Sequence, residues 1–280
     1  MNPDRDVLQG RAVDHGGDDG RDSILVGKRG TVPAVTRAIQ ILDYLANHDA
    51  EVGVSTIALD LGLNKSTCYN ILQALASESV VVKDSRFPVY RLGPRLVELG
   101  TVSRRQISHR SEVARVMEPL IGSLGITCLV AQPLAGDRGI IVVDRLFPAN
   151  ADALAVPVGT VFRITAPALG RALLAWRDID EVFANVRRFD DVNEDELTAM
   201  VASLDVVREK GFGWSNSEYQ PDTNAVAAPI FGTDLHVSLV LCLMGPTSRF
   251  PTDQIDKVGR ELVAATREIA RLLVRRGVAG

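Results

Sequence analysis

The stretch Ser55–Ser77, STIALDLGLNKSTCYNILQALAS, constrains this chain more than any other. It reads as two short helices joined by a tight turn. Ser55 is placed to N-cap a helix that turns Ile57, Ala58 and Leu61 inward, and Gly62 accepts the positive φ that ends it. Asn64 then caps a second helix. In that helix Cys68, Ile71, Leu72 and Leu75 recur at helical spacing, while Ser66, Tyr69, Asn70, Gln73 and Ser77 occupy the opposite side. One face serves a core and the other something outside, the pattern of a helix-turn-helix whose second helix enters the DNA major groove. A solvated helical hairpin has the same pattern, so the flanking sequence decides.

Upstream, Val35, Ala38, Ile39, Leu42, Leu45 and Ala46 predict an amphipathic helix that covers the hairpin's inner face. Downstream, Val80–Asp84 and Val89–Leu92 are strand-like runs around a tip, Ser85-Arg86-Phe87-Pro88, with Lys83 and Arg86 close to it. Three helices followed by a basic β-hairpin make a winged helix-turn-helix. The net charge of −4 argues against nucleic acid only until it is divided along the chain. Residues 1–23 carry −3, residues 24–110 carry +4 and residues 111–280 carry −5, so the basic excess coincides with the winged-helix segment, as a phosphate-facing module requires.

The run VPAVTRAIQILDYLA, then LNKSTCYNILQAL, then VYRLGPRLVELG resembles the DNA-binding domain of the IclR family of transcriptional regulators. Further on, PVGTVFRITAPALGRALLAW, KGFGWSNSEYQPDTNAVAAPIF and LCLMGPTSRFP follow the order and spacing of that family's effector-binding domain, so the resemblance spans Val32–Val274. It implies a ligand-responsive DNA-binding regulator: an α+β chain with an N-terminal winged helix-turn-helix, a linker helix and a C-terminal GAF-like α/β effector-binding domain. The segments are expected at 1–30 (disordered arm), 31–93 (winged helix), 94–110 (linker helix) and 111–280 (effector-binding domain). In the arm, Lys28-Arg29 is placed to reach a minor groove. The linker carries an apolar stripe of Leu96, Leu99 and Val102, and its arginines Arg104, Arg105 and Arg110 read as a solvated face.

From Ser111 the pattern becomes α/β. Helices are expected over Glu112–Leu124, Thr165–Trp176, Asp178–Asn185, Glu194–Lys210 and Thr252–Val274. Strands are expected over Ile126–Pro133, Ile140–Phe147, Phe212–Ser217, Ala225–Phe231 and Val237–Met244. No GxSxG, P-loop, GxGxxG or HExxH motif occurs, which argues against an enzyme. Of the acidic clusters Asp190-Asp191 and Glu194-Asp195-Glu196, the one that opens a helix after Asn193 is accounted for by the helix dipole and capping, and no catalytic role is expected of either. Three separated cysteines and four scattered histidines indicate neither a disulfide framework nor a metal site, and no cofactor is expected. With no bilayer-spanning apolar run and no signal-like core, the expected location is the cytoplasm, without a membrane partner. Two alternatives stay open: a sensor that has lost DNA binding, and an enzyme with a DNA-binding appendage.

The site residues follow. Ser66, Thr67, Tyr69 and Asn70 are expected to read bases, with Lys65, Lys83 and Arg86 on phosphates. The resemblance adds Arg37 as a backbone contact, and implies a homodimer, or dimers that can pair into a homotetramer, on double-stranded operator DNA. Two departures stand out. Asn70 lies where the family commonly has Arg, and Ser79 where it commonly has Gly. For the effector the resemblance implies a small organic acid whose carboxylate meets the backbone at Ala168 and Leu169, at the start of the helix Thr165–Trp176. Positions that are polar in the glyoxylate- and pyruvate-responsive member of the family read here as Ser215, Ala225, Cys242 and Met244. Only Ser215 keeps a good hydrogen-bonding group, so an aromatic or otherwise partly apolar acid is expected.

Overall fold

The structure is a computed structural model, and it describes residues 32–48, 50–107, 109–148, 156–189 and 194–275. The arm 1–30 with Lys28-Arg29, and the stretch Asp190–Asn193, lie outside the described residues. The chain divides into two compact units, Met1–Arg95 and Leu96–Gly280.

The first unit contains α1 (Pro33–Ala46), β1 (Val52–Gly53), α2 (Val54–Asp60), α3 (Lys65–Ser77), β2 (Val81–Lys83) and β3 (Val89–Leu92). Its core is small. Ile41 and Leu45 of α1, Ile57 and Ala58 of α2, and Cys68 and Leu72 of α3 close on Val81 and Tyr90 of the wing. The helix-turn-helix forms as its sequence dictates at two of three positions. The Asn64 side chain accepts a bond from the Ser66 N–H at 2.9 Å and so caps α3. Gly62 sits at φ +62, and the Gly62 and Leu63 amides return to Leu59 and Ala58, the hydrogen-bonded pattern of a helix stop that needs a left-handed residue. The third position is a correction. Ser55 does not cap α2; the helix begins at Val54 after Gly53, without a side-chain cap. The cause is β1, a strand too short to read from sequence, which pairs Val52 with Tyr90 and Gly53 with Val89 and fixes the entry into α2.

The same helix stop recurs at the end of α3, this time without glycine. Ser79 adopts φ +58, its N–H meets the Ala76 carbonyl at 3.0 Å, and Val80 N–H meets the Leu75 carbonyl at 2.9 Å. The turn into the wing is therefore kept, with serine held in a region that favours glycine. A true glycine requirement falls opposite. A Cβ on Gly93 would lie 2.2 Å from the Ser79 carbonyl oxygen, so the exit of β3 crosses the α3 stop in backbone contact.

α4 (Pro94–Ile107) carries the chain into the second unit. It ends three residues before the expected limit, because His109 takes a left-handed φ of +45 and Arg110 opens α5 (Arg110–Leu124). Arg110 is exposed, as expected of a solvated face, but it lies on α5 and not on the linker helix, and it is not free: its guanidinium donates to the buried Asp144 carboxylate at 2.7 Å. Then follow β4 (Thr127–Pro133), β5 (Ile140–Leu146), β6 (Val161–Phe162), α6 (Pro167–Leu174), α7 (Ile179–Phe189), α8 (Glu194–Lys210), β7 (Gly213–Asn216), β8 (Thr223–Phe231), β9 (Val237–Pro246) and α9 (Ile255–Arg275). The six strands form one antiparallel sheet in the order β6-β5-β4-β9-β8-β7.

Both faces of this sheet are covered, so its strands are apolar on both sides, yet the period of two still sorts them. Cys128 and Val130, Val226, Ala228 and Ile230, and Leu239, Leu241 and Leu243 join α5 and α9 in one core. Leu129 and Ala131, Ala225 and Ala227, and Val240, Cys242 and Met244 join α6, α7 and α8 in the other. α6 lies very close to the sheet. A Cβ on Gly213 would stand 2.5 Å from the Ala168 carbonyl oxygen, so glycine in β7 is what lets the first turn of α6 settle there.

Candidate functional site

Each unit presents one site. In the first, α3 turns Cys68 and Leu72 into the core, which leaves Lys65, Ser66, Tyr69 and Asn70 exposed on its outer side. Two of the expected readers are less free than the spacing suggests. Thr67 is half-buried, and the Ser66 hydroxyl donates to the capping Asn64 oxygen at 2.7 Å. Ser66 is therefore committed to the cap as a donor and offers only its lone pairs outward. Lys83 and Arg86 flank the wing tip, and Arg37 lies on α1, all exposed. The tip is held by Asp84, whose carboxylate accepts from the Arg86 N–H at 2.7 Å and the Phe87 N–H at 2.8 Å. Those two backbone donors hold its carboxyl below the usual range.

In the second unit the site grows out of strand register. Ser215 pairs with Ala225 and Ala225 with Met244, one row across β7, β8 and β9. Next to it, Ala227 pairs with Cys242 and Cys242 with Leu129. Over these rows stands the first turn of α6, and between them lies a narrow cavity of about 40 Å3. Ala168, Leu169, Ser215, Ala225, Cys242 and Met244 all line it, so the six expected positions come together at one place. Leu129, Phe162, Pro167, Tyr219 and Thr223 complete the wall and were not foreseen. Leu129 was accessible from alternation, being two residues from Ala131 on the same face. Phe162 lies in a two-residue strand and Tyr219 in a loop, where no periodicity exists to place them.

Two features give this cavity chemistry. Pro167 has no N–H, and Ala168 and Leu169 are the first residues of α6 with amides, which the helix cannot satisfy internally; Gly170 N–H is the first to return, to the Ala166 carbonyl at 2.6 Å. Ser215 is only 3% exposed and its hydroxyl has no hydrogen-bond partner. Against these, Leu129, Phe162, Leu169, Ala225 and Met244 are hydrocarbon or thioether. Burial pushes the Cys242 thiol up to about 12, so it serves as a small apolar group and not as a nucleophile. Among the described residues no cluster of His, Cys, Asp and Glu is arranged to hold a metal.

Outside the cavity, and sharing Ala166, Pro167 and Tyr219 with it, lies a polar cleft of about 380 Å3. Its floor is an ion pair. Arg171, one turn into α6, donates to both Glu218 oxygens at 2.7 and 2.8 Å and to the Trp214 carbonyl at 2.6 Å. Burial alone would raise the Glu218 carboxyl, but the Arg171 guanidinium outweighs it and holds the pKa low. The Glu218 loop brings Tyr219 to 5.4 Å from the Phe162 ring at the cavity mouth.

A winged helix with an exposed polar recognition face, joined by a helix to an α/β unit with a buried polar group in an apolar cavity, defines a DNA-binding transcriptional regulator with an effector domain. Comparison with known proteins gives the family. The IclR helix-turn-helix domain matches residues 34–85, and the domain described as bacterial transcriptional regulator IclR C-terminal matches residues 100–271. The chain belongs to the IclR family of transcriptional regulators. It is similar to the HTH-type transcriptional regulator BhcR of Paracoccus denitrificans, 27% identical over 90% of this chain and 91% of that one. It is similar as well to KdgR of Escherichia coli, 26% identical over 86% and 92%. Among solved structures, an IclR transcriptional regulator from Alicyclobacillus acidocaldarius superposes with a TM-score of 0.70 at 27% identity, covering 90% of this chain and all of the other. These relatives are regulators, which sets aside the alternative of an enzyme with a DNA-binding appendage.

Proposed function

We propose that this regulator senses a partly apolar organic acid, of which an aromatic carboxylic acid is the type case, and changes its hold on operator DNA in response. The carboxylate meets the Ala168 and Leu169 amides at the positive end of α6, with the Ser215 hydroxyl as third donor. The cavity as it stands, about 40 Å3, is too small for a ring, so binding requires Tyr219 and Phe162 at its wall to move outward; the remainder of the molecule then lies on Leu129, Phe162, Ala225, Cys242 and Met244, where each Å2 of apolar surface removed from water contributes ~25 cal/mol. The observation that carries this reading is the Ser215 hydroxyl: a buried donor without a partner, inside a cavity lined mainly by apolar side chains, with Thr223 and Tyr219 the other hydroxyl-bearing residues of its wall. A small polar acid such as pyruvate or glyoxylate would gain little from such walls. Calorimetric titration of the full chain with pyruvate, glyoxylate and a panel of aromatic acids tests it. At least one aromatic acid binds more tightly than either oxo-acid; tight binding of the two oxo-acids with none for the aromatics refutes it.

On the DNA side, the proposal assigns base reading to Tyr69 and Asn70, with Asn70 suited to bidentate pairing with adenine, and with Ser66 and Thr67 in supporting contacts. Lys65, Lys83, Arg86 and Arg37 hold phosphates. The protein acts in the cytoplasm as a homodimer or a pair of dimers, since one winged helix reads only half a site and Val97, Leu99 and Val102 leave α4 with exposed apolar side chains. Effector binding shifts the linker helices and hence the spacing of the paired recognition helices. A monomer in light scattering at micromolar concentration would contradict the assembly.

A further inference from the structure

The wing presents an aromatic side chain for which the protein itself has no use. Phe87 is 65% exposed, lies at the tip between Arg86 and Pro88, and has no place in the core of its unit. Isolated exposed hydrophobics are common, and exposure alone says little. Three further facts concern this one. The tip is fixed: the Phe87 and Arg86 amides are both tied to the Asp84 carboxylate, and the Asp84 N–H meets the Val89 carbonyl at 3.0 Å, so the ring is projected from a closed turn. The neighbouring cations are uncommitted: among the described residues Lys83 and Arg86 are exposed and make no ion pair or hydrogen bond through their side chains. The turn's own carboxylate is occupied by two backbone donors, so the tip offers an anionic partner two side-chain cations around one apolar ring.

We propose that Phe87 is a wedge that enters the operator minor groove and partly unstacks one base step, with Lys83 and Arg86 seated on the flanking phosphates. A ring without hydrogen-bonding groups cannot read base edges, so its contribution is bending and, through bending, indirect readout. Pyrimidine–purine steps such as TA and CA open most readily, and they are favoured where the wing lands. The recognition helix then specifies the major-groove positions by contact, and the wing selects a deformable step beside them.

The test uses the full chain and a duplex selected by that protein from a random library. Bend angle is read by end-to-end fluorescence transfer and affinity by anisotropy at several salt concentrations. Phe87→Ala is expected to reduce the bend and weaken binding about tenfold while leaving the salt slope unchanged, because no charge is removed. Phe87→Leu keeps an apolar wedge and retains most of both. Arg86→Ala lowers the salt slope by about one and leaves the bend. Replacing a TA step under the wing by GC costs the wild-type protein affinity but not Phe87→Ala. Since the ring lies outside the core, thermal melting confirms that each variant folds. If Phe87→Ala bends the duplex as the wild type does, or keeps its preference at that step, the wedge is overturned.

Discussion

Ser215→Ala is expected to stabilise the free protein and to weaken effector binding, two effects of opposite sign from one oxygen atom. In the free protein the Ser215 hydroxyl is buried and unpaired. Leaving such a group without a partner costs ~1–3 kcal/mol, which the alanine variant avoids while removing too little volume to open a real void. A gain of ~1–2 kcal/mol corresponds to a rise in melting temperature of roughly 2–8 °C for a unit of the size of Leu96–Gly280. In the complex the hydroxyl donates to a carboxylate, and hydrogen bonds to charged groups contribute ~1.5–3 kcal/mol, so affinity for the bound acid falls by about ten- to a hundredfold. Scanning calorimetry without ligand and titration calorimetry with the tightest acid of the aromatic panel measure the two effects separately. An alanine variant less stable than the wild type in the absence of ligand would show that the hydroxyl has a structural partner, and the cavity would lose its polar anchor.

Other expectations follow from the same geometry. Ser79→Gly relieves a left-handed serine and is expected to stabilise the first unit by ~0.5–1 kcal/mol in chemical denaturation, whereas Gly93→Ala drives a methyl group onto the Ser79 carbonyl and costs ~2–3 kcal/mol or more. Asn70→Ala should relax sequence preference at one operator position while Lys83→Ala weakens all duplexes alike, as competition binding with single-base variants will show. Burial raises the Cys242 thiol from 9 to about 12, and raises Cys128 further. The folded state therefore holds those protons more tightly than the unfolded one, and this contribution to stability is complete below pH 9 and lost as pH rises toward 12. Urea midpoints from pH 8 upward should fall less steeply in Cys242→Ala, and iodoacetamide should leave the native thiols of the second unit unmodified at pH 8.

The winged helix was legible because each of its signals is local. Asn64 caps the helix it precedes, Gly62 ends the one before, and the apolar spacing of Cys68, Leu72 and their neighbours matches a single period. Ser55 failed for a reason no local rule contains: β1 is two residues long, too short to show alternation, and its pairing with β3 decides where α2 begins. The large sheet followed the same division. Its long strands were readable, although both faces are buried and the contrast between alternate residues is one of partner and not of polarity. β6 was invisible at two residues, and with it Phe162. Resemblance to the family placed Ala168, Ser215 and Cys242 at one site, but the ion pair that floors the outer cleft joins Arg171 to Glu218 across a helix, a sheet strand and a loop. Nothing in the spacing of those two residues announces a contact. Nor does the spacing reveal that Ser66, beside the cap, donates its hydroxyl hydrogen to Asn64 and keeps only its lone pairs for an outside partner.

The most direct test of the central claim is a titration of effector against the preformed complex of the full chain with its selected duplex, followed by anisotropy. At least one aromatic or partly apolar acid is predicted to shift the DNA-binding midpoint by tenfold or more, equivalent to a coupling of ~1.4 kcal/mol, and Ser215→Ala should need a much higher concentration of the same acid for the same shift. A midpoint that no acid moves, or one that pyruvate and glyoxylate move and the aromatic acids do not, would contradict the account.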